Sequence, residues 1–178
     1  MRKQLSLLLF VFCAVLIACG PNKESLQKSI EEKESQATSL DFEMDTVVAR
    51  EIIDLYLQYA DRFSDDSLAP IYLFKASDVL MGIGDMGTAT NVLDRIIDNY
   101  GDFEGLPLCY FMKGRAFEEM EDYDAAVSAY KVFLDKFPDH FLAADTRAIL
   151  PLVQQGMDDE AQLDFILSQA SDTLIAQD

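Results

Sequence analysis

Few residues in this chain are of a type to carry covalent or metal chemistry. Its 178 residues include three cysteines and one histidine. Cys109 lies inside the apolar run LPLCYFM, where a thiol behaves as a small hydrophobe whose ionisation is disfavoured. His140 follows the turn Phe137-Pro138-Asp139. One histidine and one free cysteine fall short of an ordinary zinc ligand set. A Cys-His nucleophilic pair would need Cys109 and His140 to meet, and nothing in their spacing brings them together. Carboxylates are abundant, so neighbours such as Glu118 and Glu119 carry little information. Asp158, Asp159 and Glu160 read as a helix start favoured by the dipole. The segment NYGDFEG, residues 99–105, comes nearest to a calcium loop and fails its ligand spacing. No glycine-rich phosphate loop, nucleophile elbow or metalloprotease motif occurs. The reading is of a protein that is not an enzyme, with no catalytic residue, no metal and no cofactor.

What the residues do form is a repeat. GDMGTATNVLDRIIDNYGD, residues 84–102, aligns with EDYDAAVSAYKVFLDKFPD, residues 121–139, at an offset of 37. Ala89 meets Ala126, Leu93 meets Tyr130, Ile96 meets Phe133 and Tyr100 meets Phe137. The same step backwards carries Tyr100 to Phe63 and Asp102 to Asp65. Apolar residues at i, i+4, i+7, i+8 and i+11 mark a helix face, and the period is that of stacked repeats. Upstream, Tyr72, Ala76 and Val79 match Tyr110, Gly114 and Phe117 at an offset of 38, with the extra residue assigned to the turn MGIGD, residues 81–85. Helices are expected at about 46–63, 69–81, 86–100, 106–119, 123–136, 141–155 and 159–170. Asp45 is the expected first N-cap, with Met44 and Ala49 as its staple. Gly101, Pro138 and Gly156 mark helix exits, and Pro151 is expected to kink or split the sixth helix.

These positions resemble the tetratricopeptide repeat. Tyr110, Lys113, Gly114, Phe117, Ala126, Tyr130 and Pro138 take its signature places, and Tyr72, Lys75, Ala76, Val79, Ala89, Leu93 and Gly101 take them one unit earlier. The resemblance implies an all-α fold, a right-handed α-solenoid of helix-turn-helix repeats over residues 45–170, closed by a C-terminal capping helix. Gly114, Ala76, Ala89 and Ala126 let helices approach, and the aromatics fill the wedge between hairpins. Lysine in the usual leucine slot implies a packed stem with its amine in water. In such repeats the first helix of each pair lines the concave face. Leu73, Ser77, Leu80, Leu108, Phe111, Arg115 and Arg147 are assigned there, an apolar trough with a few arginines suited to a helix or an extended segment of another protein. The competing reading has the preceding tether or the last helix fill it.

The front end is of another kind. Arg2 and Lys3 precede a run of about 14 apolar residues, too short to span a bilayer, which takes about 20. Leu16-Ile17-Ala18-Cys19 resembles the lipobox of bacterial lipoproteins. That resemblance implies a signal peptide over residues 1–18, lipid on Cys19, and membrane anchoring without a span. Residues 20–44 are mostly polar and read as a tether, part helical through Leu26 and Ile30, with Glu24 and Lys28 spaced as a pair. Residues 171–178 read as a tail. Removing residues 1–18 takes away Arg2 and Lys3 and no acid, which leaves 12 basic against 32 acidic residues, a balance of −20. Such a charge argues against nucleic acid and against a body lying on anionic lipid. The whole layout resembles bacterial envelope lipoproteins of the BamD and Tol-Pal coordinator type. It implies a scaffold that holds envelope proteins or peptides, with Gly20 favouring an outer membrane and a periplasmic face. Two other functions remain open at this stage, a surface lipoprotein that captures a ligand or glycan, and an enzyme.

Overall fold

A computed structural model describes residues 21–38, 45–157, 160–165 and 167. The expected signal peptide, Cys19, Gly20, Met44 and the expected tail lie outside the described residues. Every regular element among those described is a helix: α1 (Lys23–Thr38), α2 (Thr46–Arg62), α3 (Ala69–Gly82), α4 (Met86–Asn99), α5 (Leu106–Glu119), α6 (Tyr123–Lys136) and α7 (Ala143–Val153). Residues 160–165 are also helical and lie within the expected last helix, of which 159, 166 and 168–170 are outside the described residues. Each helix packs on the next in chain order, so the elements form a stack of hairpins. The architecture is the expected all-α solenoid.

Local chemistry explains the helix ends. The side chains of Asp45, Asp85 and Asp122 accept hydrogen bonds from the N–H groups of Val47, Thr88 and Ala125, and so satisfy donors that a helix start leaves open. Pro70 and Pro107 stand in the first turns of α3 and α5, where no intrahelical donor is needed. The turns out of α3, α5 and α7 share one pattern. Asp85, Asp122 and Met157 donate to the carbonyls of Leu80, Phe117 and Leu152, five residues back. The residue before each has positive φ, namely Gly84 (80°), Glu121 (58°) and Gly156 (71°). The turns between hairpins also repeat. Phe63, Tyr100 and Phe137 donate to Tyr59, Ile96 and Phe133; Asp66, Phe103 and His140 donate to Phe63, Tyr100 and Phe137.

Three expectations need correction. Residues 23–38 are not a loose tether. Leu26 and Ile30 are buried in the main core with Ile52, Ile53 and Leu73, and α1 packs on α2. Glu34 completes that contact through polar bonds, accepting from the Tyr56 hydroxyl at 2.6 Å and from Lys75 at 2.8 Å. On the outer side of α1, Lys28 pairs with Glu32 at 3.6 Å and not with Glu24. Pro151 does not split α7, because it falls in the last turn, two residues before the helix ends at Val153. The helix that starts this unit begins at Ala143, not at 141, since His140 and the preceding residues form the inter-hairpin turn.

Candidate interaction surface

The packing between hairpins is clearest at α5 and α6. An ideal Cβ built on Gly114 would lie 2.4 Å from a ring carbon of Tyr130, so glycine is what lets the two helices meet. Tyr130 is fully buried, and its hydroxyl donates to Glu118. Glu118 is buried too, accepts from Gln162 Nε2 at 2.9 Å, and has Arg115 at 3.5 Å. This carboxylate joins α5, α6 and the helical stretch after α7. Ala126, Ala89, Leu93 and Ala76 are buried as expected. Tyr110 and Phe117 are half-buried, the Tyr110 ring lying 5.6 Å from that of Phe137. Pro138 is exposed at the hairpin exit, as its stop role requires.

The first unit departs from expectation. Both ends of α3 and α5 correspond at 37 residues: Ala69 with Leu106 at the start, Gly84-Asp85 with Glu121-Asp122 at the turn. The two helices are equal in length, at 14 residues each, and MGIGD carries no extra residue. The offset inside the helix is therefore 37 and not 38, and a shift of one residue turns a helix face by about 100°. Leu73 stands where Tyr110 stands, Ser77 where Gly114 stands, and Leu80 where Phe117 stands. Leu73, Ser77 and Leu80 are thus packing residues, 0, 0 and 2% exposed, and do not line an open trough. Tyr72 remains a packing residue, with its ring 5.5 Å from Tyr56 and 4.6 Å from Tyr59, while Val79 is half-buried.

In the corrected register the partners of Leu108, Phe111 and Arg115 are Ile71, Phe74 and Asp78. Ile71 is 39% exposed, Asp78 is exposed, and Phe74, Leu108 and Phe111 are half-buried. These make one row across two hairpins. Sequence reasoning missed Ile71, Phe74 and Asp78, although the paired turns Gly84-Asp85 and Glu121-Asp122 carry the signal. Phe111 is braced from behind by Tyr130 and Phe133, at 5.6 and 5.8 Å, and Phe74 by Phe103 at 6.0 Å.

The arginines assigned to the trough are both engaged, and Arg147 stands at the Tyr110 position of its unit, not in the row. Arg115 bonds Glu119 at 3.3 Å besides facing Glu118, and the Arg147 guanidinium donates to the Pro138 carbonyl at 2.7 Å. Lys113 in the leucine slot and Lys75, which the corrected register sets against Met112 and not Lys113, do not leave their amines simply in water. Lys75 pairs with Glu34 and Lys113 with Asp94 at 2.5 Å, because each stem ends beside a carboxylate of the preceding helices. Burial alone would raise the Glu34 carboxyl, but the hydrogen bonds from Lys75 and Tyr56 outweigh it and hold it below the usual glutamate range. Burial and the bond to Glu34 raise the Tyr56 phenol.

The chemically reactive types sit in structural places. Cys109 is fully buried in the main core, and burial pushes its thiol up to about 12. His140 takes the turn position that Asp66 takes two units earlier. Its Nδ1 accepts from the Leu142 N–H at 3.3 Å, just as Asp66 Oδ1 accepts from Leu68, and its ring packs on Phe133 at 5.5 Å. Among the described residues no group of three or more His, Cys, Asp or Glu is arranged to hold a metal.

Residues 108–140 match the family described as Tetratricopeptide repeat. The chain carries a tetratricopeptide repeat. The match covers α5 and α6, the hairpin in which Gly114 and Tyr130 interlock, and ends at the inter-hairpin turn. No curated protein matches the chain. Tetratricopeptide repeats typically bind other proteins or peptides and are generally not catalytic.

Proposed function

We propose that this chain is a scaffold that holds a partner protein or peptide at the membrane of a bacterial cell envelope, tethered by lipid on Cys19. The observation that carries the scaffold reading is the row Ile71, Phe74, Leu108 and Phe111. Its apolar side chains lie in register across two hairpins and are left partly uncovered, with Phe74 and Phe111 each packed against neighbouring rings. An apolar strip of that kind suits a helix or an extended segment. Leu16-Ile17-Ala18-Cys19 supports the anchor, and two or three acyl chains at about 0.8 kcal/mol per buried methylene hold a protein firmly. Gly20 supports an outer-membrane destination with the body in the periplasm.

Four measurements test this. Mass spectrometry of the mature protein should find Cys19 as a lipidated first residue, and Cys19→Ala should move the protein out of the membrane fraction. An unmodified Cys19 in a membrane-free protein sinks the anchor. Crosslinking in the intact envelope should recover a partner that Phe111→Ala loses, and protease shaving of intact cells should spare the protein. The same partner recovered in equal yield from Phe74→Ala and Phe111→Ala sinks this row as its docking site.

A further inference from the structure

The junctions between hairpins are not equivalent, and the difference points to a second docking groove on the side of the second helices. At the first junction, between α2 and α4, Arg95 pairs with Asp61 at 2.6 Å, and Val92, one turn before Arg95 on α4, is buried. One period later, between α4 and α6, the matching residues are Val132 for Arg95, Asp98 for Asp61 and Ala129 for Val92. Both changes on α6 remove volume, and the first also removes a cation. Asp98 is left exposed, and among the described residues no cation pairs with it. Val132 is 42% exposed, a large apolar side chain at the lip. A groove of about 430 Å³ opens here, floored by Tyr110 and Phe117 of α5, with Asp94 and Asp98 on one wall and Ala129 and Val132 on the other.

We infer that this groove takes a partner segment presenting an arginine or lysine beside an aliphatic side chain. Arg95 shows what satisfies the site at the first junction. A guanidinium meets the carboxylate on the preceding second helix. At the second junction the chain leaves out that side chain and keeps the carboxylate. Asp98 and Asp94 give the wall a negative face, matched to a cation, and Lys113 neutralises only one of the two. The small residue at Ala129 leaves room for a partner backbone. This inference rests on reading the chain as an interaction scaffold, but the groove is separate from the row of Ile71, Phe74, Leu108 and Phe111.

The test uses a synthetic amphipathic helical peptide of about 18 residues, about 27 Å long, with arginines beside a leucine stripe. A second peptide carries glutamate at each arginine position. Titration of the folded chain, followed by backbone amide shifts, should place the arginine peptide on α4 and α6 around Asp94, Asp98 and Val132. The glutamate peptide should leave those amides unmoved. Val132→Arg, which restores the first-junction pair, should weaken binding by at least about tenfold, and Asp98→Asn should do the same by removing the charge-assisted bond. Val47→Arg makes the same charge change at an exposed site on α2 and should leave affinity within about twofold. Equal weakening by Val47→Arg would mean attraction to the bulk charge of −18 and would overturn the inference. Shifts centred on Ile71 and Phe111 would overturn it in favour of the first surface, and so would the absence of any shift. Lipidation of Cys19 is read independently of all these results.

Discussion

Gly114→Ala isolates the contact that holds the second hairpin together. The added Cβ would lie 2.4, 2.6 and 2.8 Å from three carbons of the Tyr130 ring, where carbon pairs rest at about 3.5–4.0 Å. The ring must therefore move by about 1 Å, and it has nowhere easy to go. Tyr130 is fully buried, with Ala126, Val127 and Val153 in its cluster and Phe111 against its face. Its hydroxyl is also tied to a buried carboxylate. Overpacking of this kind costs about 1–3 kcal/mol, and disturbing a hydrogen bond to a charged group adds about 1.5–3 kcal/mol. The gain in helix propensity on replacing glycine returns only about 1 kcal/mol. The net expectation is a loss of about 1.5–5 kcal/mol, a large part of the 5–15 kcal/mol typical of a domain. Urea unfolding followed by far-ultraviolet circular dichroism reads it directly. Gly87→Ala is the control, since a Cβ there meets nothing within 4 Å, and it should be neutral or stabilising by up to about 1 kcal/mol. A second control follows from the register, in which Ser77 and Leu93 stand where Gly114 and Tyr130 stand. Gly114→Ser combined with Tyr130→Leu should recover at least about 1 kcal/mol relative to the sum of the single changes. Gly114→Ala matching Gly87→Ala in stability would refute the argument.

Three further outcomes follow from the same packing. Leu26→Ala and Ile30→Ala should each destabilise the whole domain by about 2–4 kcal/mol in one cooperative transition, since both are core residues; an unchanged denaturation midpoint would return α1 to the status of a tether. The bonds that hold Glu34 below its ordinary range contribute stability that is present above the unfolded-state value and is lost as pH falls through the lower, folded one. Stability of the wild type should therefore fall more steeply below about pH 4.5 than that of Glu34→Gln, and parallel acid profiles would contradict this. Cys109 should resist thiol reagents in the folded protein and react at full rate only in denaturant, because burial both shields it and keeps it protonated; fast native labelling would contradict the placement.

Much of the fold is legible in the chain because its signals are local. Aspartate at a helix start, glycine at positive φ and proline in a first turn act within a few residues, so most expected helix bounds fall within one or two of those observed. Two errors have physical sources. Tyr72 and Tyr110 are both tyrosines, and aligning them invites an offset of 38, while the turn geometry at both helix ends demands 37. That single step exchanged the packing face of α3 for its open face, so Leu73 and Ser77 took the places due to Phe74 and Asp78. The second error is α1. It brings Leu26 and Ile30 to the core and completes its contact through Glu34, which bonds Tyr56 and Lys75. Hydrophobic patterning does not count a carboxylate as a packing residue, so the helix reads as too polar to join. The groove at Asp98 was also out of reach, since it depends on comparing two junctions and not on any motif.

The central claim is that one period of 37 residues sets which side of each helix is glued and which is open. Ser77 and Asp78 are neighbours in α3 that the claim assigns to opposite sides, the first fully buried and the second exposed. Rates of thiol labelling of Ser77→Cys and Asp78→Cys, in a soluble form that lacks residues 1–19, compare them directly. Asp78→Cys should label about as fast as an unfolded peptide, and Ser77→Cys only through unfolding, slower by about 10³-fold or more. Fast labelling at 77 with protection at 78 would contradict it.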